Sequence, residues 1–330
     1  MAATRAQSTP VVALRFGDGV LRAIDQTELP FNERELELRT ADEVAEAIRR
    51  LAIRGAPLIG VAAAYGIALE LARDPSPESL ERACDRLRNA RPTAVNLSAA
   101  VERVRRAVLG GAAALDEARA IEAEEEAASA AIAAHGADLL SKAGARRILT
   151  HCNTGALAAP GRGTALAVIA ELADRGVLEK AIATESRPLL QGARLTVYEL
   201  SRLGIPHELI VDSAAAGLIA AGAVDAVIVG CDRVAANGDV ANKVGTYSLA
   251  LAADAAGIPF VVAGPTSTID PATATGADIA IEERDPDEVR QAAGRRLTID
   301  RTACRNPAFD VTPAALVTAL VTERGVSTVP

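Results

Sequence analysis

The strongest constraint on the fold is the alternation that begins after Ala145, where short β-favouring runs are interleaved with helical ones. The β-rich runs cover residues 147–151, 181–184, 208–211, 226–230, 259–263 and 279–281. Residues 163–174, 191–203, 213–221 and 244–256 are helical in pattern and fill the gaps. Such alternation calls for crossover connections, and so for a parallel sheet with helices on both faces.

The chain before this point reads differently. Residues 11–16 and 20–25 are β-favouring around the turn chemistry of Gly17-Asp18-Gly19, and Leu36 and Leu38 alternate with charge in a third strand. From Ala41 the period is helical, with Val44, Ala47, Ile48 and Leu51 on one face until Gly55 and Pro57 end it. A nearly all-apolar helix at 59–71 follows, then an amphipathic helix at 77–90. A long Ala-rich helical stretch at 98–141 has a possible break at Gly110-Gly111. The acidic run 122–126 reads as a solvated helix face. The expected fold class is therefore α/β. A smaller, mostly helical domain with an N-terminal antiparallel sheet (residues 1–144) precedes a Rossmann-like α/β domain (residues 145–330).

Composition excludes several classes of function. The 330 residues suit about two domains, and with half of them apolar and 24% charged they suffice for a buried core. The net charge of −8, the 2% of aromatic residues and the lack of Trp argue against nucleic acid as a partner. No apolar run reaches the roughly 20 charge-free residues of a membrane span, and the start lacks an apolar leader, so no membrane partner is expected. Cys84, Cys152, Cys231 and Cys304 lie far apart, with no C-x-x-C pair and no histidine cluster. Neither a metal site nor a disulfide framework is expected, and a reducing, cytoplasmic setting fits.

In an open parallel sheet, ligands bind beyond the carboxyl ends of the strands. The polar residues collect there. After the first strand come His151-Cys152-Asn153-Thr154-Gly155, and after the second Glu185-Ser186-Arg187-Pro188 and Gln191-Gly192-Ala193-Arg194. Asp212-Ser213 follows the third. Cys231-Asp232-Arg233 and Asn242-Lys243 follow the fourth, and Pro265-Thr266-Ser267-Thr268 the fifth. Lys243 is one of three lysines, with Lys142 and Lys180, and stands just before a helix, where ammonium and helix dipole suit an anion. Thr266 to Thr268 suit the same role, or plain capping. There is no G-x-x-x-x-G-K-[ST] run and no complete dinucleotide fingerprint.

Cys152 is either a tuned acid–base thiol or a small buried apolar residue. Asp232, beside Ile228 and Val229, is either an acid with a raised pKa, or the ion-pair partner of Arg233 or a cap on the next loop. Cys231 reads as packing and His151 as a structural histidine. Arg54 and Arg91 lie in Gly/Pro-punctuated turns, where guanidinium groups either clamp phosphate or simply face water.

Longer motifs run through the chain: Ile53-Arg54-Gly55-Ala56-Pro57, Arg91-Pro92-Thr93-Ala94-Val95-Asn96-Leu97, Thr150-His151-Cys152-Asn153-Thr154-Gly155-Ala156, Gln191-Gly192-Ala193-Arg194 and Ala236-Asn237-Gly238-Asp239-Val240-Ala241-Asn242-Lys243. With these the chain resembles, nearly end to end, the methylthioribose-1-phosphate isomerases. They are a branch of the wider family that holds the α, β and δ regulatory subunits of a translation-initiation exchange factor. The resemblance implies an aldose–ketose isomerase that converts 5-methylthioribose 1-phosphate to 5-methylthioribulose 1-phosphate, in methionine salvage, without a cofactor. It implies Cys152 and Asp232 as the catalytic pair. Arg54, Gly55, Ala56, Arg91, Gln191, Asn242 and Lys243 would be substrate contacts in a cleft between domains, and the protein a homodimer. The alternatives are the same chemistry on 5-deoxyribose 1-phosphate or ribose 1,5-bisphosphate, and a non-catalytic regulatory subunit. The sequence departs from the family pattern in four places. Glu185-Ser186-Arg187-Pro188 replaces the usual Asp-Glu-Thr-Arg-Pro, and the loop at 212–217 has no Met. Cys231 stands where Ala is common, and the acidic helix before His135-Gly136 lacks the family's usual Asp and Asn.

Overall fold

The computed structural model describes residues 9–92 and 94–328. The described residues divide into two compact units, one of residues 10–92, 94–130 and 154–163, the other of residues 131–153 and 164–328 with Thr9. Packing therefore does not follow a single cut at residue 144.

The helical unit opens with the antiparallel strands β1 (Leu14–Gly17), β2 (Val20–Ile24) and β3 (Glu35–Leu38). Helix α1 (Ala41–Arg49) starts at a capping box in which the Thr40 side chain accepts from the Glu43 backbone and the Glu43 side chain reaches back to the cap. Asp42 sits in the first turn and pairs with Arg86. The next helix, α2 (Ala56–Arg73), is buried from Pro57 through Leu69. By length and composition it could cross a membrane, but here it is a core helix, flanked by α1, α3 (Pro77–Arg88) and α4 (Val95–Leu109). The long helical stretch is broken at Gly110-Gly111 as expected, and α5 (Ala114–Lys142) follows. Its acidic run is not wholly solvated. The Tyr65 hydroxyl donates to Glu122, burial raises the Glu122 pKa, and Tyr65 stacks on Phe16 with centroids 4.8 Å apart.

The α/β unit carries a seven-stranded sheet. Its strands in chain order are β4 (Arg147–Thr150), β5 (Lys180–Thr184), β6 (His207–Ile210), β7 (Ala226–Val229), β10 (Phe260–Ala263), β15 (Ala319–Thr322) and the antiparallel edge strand β16 (Gly325–Ser327). In space the order is β16-β15-β10-β7-β4-β5-β6, so the chain works outward from β4 on one side and then returns to add strands on the other. Side chains alternate between two cores. Ile148 and Ile228 join the face covered by α6 (Ala165–Asp174), while Leu149, Val227 and Val229 join the opposite face. The sixth strand is not at 279–281, which is irregular chain just after the 3-10 turn Gly276–Asp278; β15 takes that place, paired in parallel with β10. A short apolar pair such as Ile279 and Ile281 carries too little pattern to tell strand from turn.

The remaining α-helices among the described residues are α7 (Val197–Arg202), α8 (Ala215–Ala220), α9 (Thr246–Ala256) and the single turn α10 (Asp287–Arg290), after which β12 (Gln291–Ala292) pairs with β13 (Arg295–Arg296). A second, four-stranded sheet joins β8 (Arg233–Ala235), β9 (Val240–Lys243), β11 (Ile269–Asp270) and β14 (Phe309–Thr312).

Asp225 ties the start of β7 to the start of β4. Its carboxylate accepts from the Arg146 and Arg147 backbone amides at 2.9 and 2.7 Å and pairs with the Arg147 guanidinium. These contacts hold the carboxyl at about 2, below its ordinary 3.8. A depressed pKa stabilises the fold above the unfolded value and loses that effect as pH falls through the folded one. Asp225→Asn should therefore cost roughly 1–2 kcal/mol at pH 7, allowing for partial exposure. The gap to wild type should close between about pH 4 and pH 2. Urea denaturation across that range checks this; a gap independent of pH would contradict it.

Candidate active site

The two expected catalytic residues stem from the two strands at which the sheet order reverses. Strand β4 ends at Thr150 and runs into Cys152; β7, its parallel neighbour, ends at Val229 and runs into Asp232. Reversal points open a crevice at the carboxyl ends of an open sheet, since adjacent connections leave to opposite faces.

Cys152 has φ +62°, a left-handed backbone that side chains seldom adopt and that costs of order 1–3 kcal/mol. Both of its peptide groups are held. Its N–H donates to Ser186 Oγ at 2.7 Å, and its carbonyl accepts from Thr196 Oγ1 at 2.6 Å. Asn153 Nδ2 donates to buried Glu199 at 2.7 Å. His151 is buried with both ring nitrogens engaged, Nδ1 on Thr184 Oγ1 at 2.5 Å and Nε2 on the Val244 carbonyl at 2.9 Å. A carbonyl only accepts, so Nε2 carries the proton and Nδ1 accepts from the threonine. Burial depresses the imidazole pKa, which keeps the ring neutral.

Asp232 N donates to the Ala241 carbonyl at 3.0 Å, fixing it at the mouth of the β8–β9 hairpin. Arg233 pairs with Asp270. Strand β9 delivers Asn242 and Lys243, both buried. Burial lowers the Lys243 pKa, while Cys152 and Asp232 lie near enough to oppose that shift electrostatically. The Lys243 ammonium donates to the Ala308 carbonyl at 3.4 Å, and Asn242 Nδ2 to Thr246 Oγ1 at 2.9 Å. Cys152, Asp232 and Lys243 are thus brought together within this unit. Gln191 is also buried here, and its Oε1 has no hydrogen-bond partner. It begins a π-helical turn (Gly192–Thr196), a form often found at functional sites. At Gly192 an added Cβ would stand 1.7 Å from the Thr184 carbonyl oxygen, so only glycine allows the turn to lie on the end of β5.

Two expected anion sites are already filled. The Gly245 and Tyr247 amides at the start of α9 donate to Asp310 at 2.7 and 3.1 Å, and the Thr266 amide donates to Glu323 at 2.9 Å. Asp310 comes from β14 and Glu323 from the turn after β15, segments far along the chain that spacing cannot foresee. Cys231 packs as expected: its sulfur touches Thr268, and burial pushes its thiol up to about 12. Ser186 stands in the sequence only as one of the polar residues after the second strand, and Thr196, Glu199 and Asp310 carry no signal there until the chain brings them to the rim.

In the helical unit, Arg54, Gly55 and Ala56 form the start of α2. Gly55 caps the helix at φ +95°, and a Cβ there would lie 2.4 Å from the backbone of Ala158. Arg54 Nε donates to Gln26 Oε1 at 3.2 Å, and Gln26 Nε2 donates in turn to the Leu157 carbonyl at 2.8 Å. Arg91 opens the turn before α4, its carbonyl accepting from Ala94 N; Thr93 of that motif lies outside the described residues.

The family model described as initiation factor 2 subunit family matches residues 52–329. The methylthioribose-1-phosphate isomerase of Anaeromyxobacter sp. (strain K) is 56% identical over 313 residues, covering 94% of this chain and 91% of that protein. The 5-deoxyribose 1-phosphate isomerase of Moorella thermoacetica is 49% identical over 332 residues, covering 96% and 94%. The crystal structure of 5-methylthioribose 1-phosphate isomerase from Pyrococcus horikoshii OT3 superposes with a TM-score of 0.90 at 39% identity, covering 99% of this chain and 95% of that one. With its strand order, its paired strand-end residues and this likeness along nearly its whole length, the chain belongs to the initiation factor 2 subunit family, in the branch of the methylthioribose-1-phosphate isomerases.

Proposed function

We propose that this chain is an aldose–ketose isomerase that turns 5-methylthioribose 1-phosphate into 5-methylthioribulose 1-phosphate. The observation that carries the reading is the placing of Cys152 and Asp232 after the adjacent strands β4 and β7, with the buried ammonium of Lys243 in electrostatic reach of both. Phosphate on the anomeric oxygen blocks spontaneous opening of the sugar ring. Asp232, protonated, gives its proton to the ring oxygen as the bond from that oxygen to carbon 1 breaks. Cys152 then carries the carbon 2 hydrogen, as a proton, to carbon 1 through an enediol-like state. The carbon 2 hydroxyl returns its proton to Asp232 as the ketone forms, so substrate and product have the same atoms. A direct hydride shift from carbon 2 to carbon 1 is the other route, with Cys152 stabilising charge. Retention of the carbon 2 hydrogen in heavy water distinguishes the two.

Lys243, Asn242 and Gln191, with Arg54, Gly55, Ala56 and Arg91, bind the substrate. The Gln191 Oε1 is a ready acceptor for a sugar hydroxyl, since a buried acceptor left unpaired is costly. The start of α2 is positively polarised and suits phosphate. The protein works in the cytoplasm, a setting that suits four unpaired cysteines. It acts as a homodimer joined through the α/β unit, where Tyr247 and Leu251 of α9 are 40% and 44% exposed and Leu209 and Val211 flank the sheet's edge. Sedimentation at micromolar concentration should show a species of about twice 33.9 kDa; a fully active monomer would overturn the dimer.

Turnover of 5-methylthioribose 1-phosphate should exceed that of 5-deoxyribose 1-phosphate and ribose 1,5-bisphosphate; a preference for either would reassign the substrate. Asp232→Asn should lower kcat by about 10²–10⁴-fold. Cys152→Ser should cripple turnover, because a hydroxyl is far less acidic than a thiol. Lys243→Met should raise KM at least about tenfold, the loss of a charge-assisted bond worth roughly 1.5–3 kcal/mol. A KM within about twofold of wild type would leave Lys243 a structural residue.

A further inference from the structure

Ser186 lies in the motif at 185–188, one of the four places where the chain departs from the family pattern, and has no part in the reaction steps assigned to Asp232 and Cys152. Ser186 is fully buried, and its own backbone is left-handed at φ +62°. Asp212 holds that conformation, accepting from the Ser186 and Arg187 amides at 2.7 Å each. The Ser186 hydroxyl then stands in a line of buried hydrogen bonds. Cys152 N–H donates to Ser186 Oγ at 2.7 Å, and Ser186 Oγ lies 3.3 Å from Thr184 Oγ1. Thr184 Oγ1 meets His151 Nδ1 at 2.5 Å, and His151 Nε2 meets the carbonyl of Val244 at 2.9 Å. The directions are fixed at both ends, because an amide only donates and a carbonyl only accepts. The Thr184 hydroxyl therefore donates to His151 Nδ1, and the Ser186 hydroxyl, which accepts from the Cys152 amide, turns its own proton toward Thr184, whose Oγ1 and carbonyl lie 3.3 and 3.4 Å away. Such a chain closes only with a neutral imidazole protonated on Nε2.

We propose that this hydrogen-bond chain is the positioning device for the Cys152 thiol: Ser186 and His151 hold the left-handed cysteine backbone in register with the Asn242-Lys243 end of β9. The inference rests on the reading of Cys152 as catalytic. The physical reason is that φ +62° is unfavourable for cysteine and persists only where surrounding bonds over-determine it. With Ser186 Oγ removed, the Cys152 amide is left unpaired and the thiol shifts relative to Lys243. A displacement of about 1 Å can cost about 10²-fold in rate. The second clamp, Thr196 Oγ1 on the Cys152 carbonyl, restrains the other side of the residue but leaves the amide free to turn.

The test compares wild type, Ser186→Ala and Ser186→Thr. It measures kcat, KM, thermal midpoint and the rate at which iodoacetamide alkylates Cys152, followed by mass spectrometry of its peptide. Cys84 and Cys231 supply slow internal controls, since burial pushes their thiols up to about 11 and about 12. Ser186→Ala should lower kcat about 10–100-fold with KM within about twofold and alter the Cys152 alkylation rate at least about threefold. Ser186→Thr, which keeps the hydroxyl, should restore both. Unchanged kcat together with unchanged alkylation would overturn the proposal, as would equal loss in Ser186→Thr with its fold intact. Altered alkylation with unchanged kcat upholds the positioning and overturns the catalytic reading of Cys152 instead. If Ser186→Ala does not fold, Thr184→Val, which cuts the same chain while keeping its shape, carries the same expectations.

Discussion

The pairing of β4 with β7 is the constraint on which the rest of the site depends. Ile148 pairs with Ala226 and Leu149 with Val227, in a sheet that grows outward from this seam in both directions. Because the chain leaves β4 for one side and returns at β7 on the other, no crossover covers the seam's carboxyl end. Cys152 and Asp232 stem from its two lips. Neighbouring strands are spaced by about 4.8 Å, so two groups that lie far apart in sequence come within reach of one small substrate.

What surrounds the seam is polar, buried and almost fully hydrogen-bonded. His151, Thr184, Ser186, Thr196 and Glu199 make up a shell that binds no substrate in the present reading but fixes the peptide groups on either side of Cys152. Buried polar groups of this kind are costly when half satisfied and rigid when complete. Thr150 and Gln191 each keep one buried side-chain oxygen unpaired, and Gln191 is also a residue assigned to the substrate. Glycine sets the clearances: Gly192 lies against the end of β5, and Gly245 lets α9 begin beside the His151 ring, where an added Cβ would stand 3.1 Å away.

Electrostatics point the same way. Lys243 is buried where its charge is disfavoured, so an anionic ligand would restore part of the lost solvation. The helix starts nearby are not spare anion sites, because Asp310 occupies that of α9. Within this unit the positive charge aimed at a substrate is a side chain on a strand, set beside the two groups that move its protons.

The sequence by itself determined the class of fold, since alternation of β-rich and helical runs admits little but a parallel sheet with helices on both faces. It also determined the roster of polar residues at the strand ends, because helix and strand interiors exclude them and leave Cys152, Gln191, Asp232 and Lys243 visible. It read 279–281 as a strand and missed β15, because a few apolar residues pair equally well with several neighbours until the sheet selects one. Only the tertiary structure decided which strands are adjacent, and so which of those residues meet. It alone revealed that Asp310 and Glu323 fill two helix and turn starts, and that Ser186 and His151 hold the cysteine. Local pattern records how a residue's own segment is buried. Hydrogen bonds between segments dozens of residues apart leave no period in the chain, and they form only once the backbone has brought their partners to one rim.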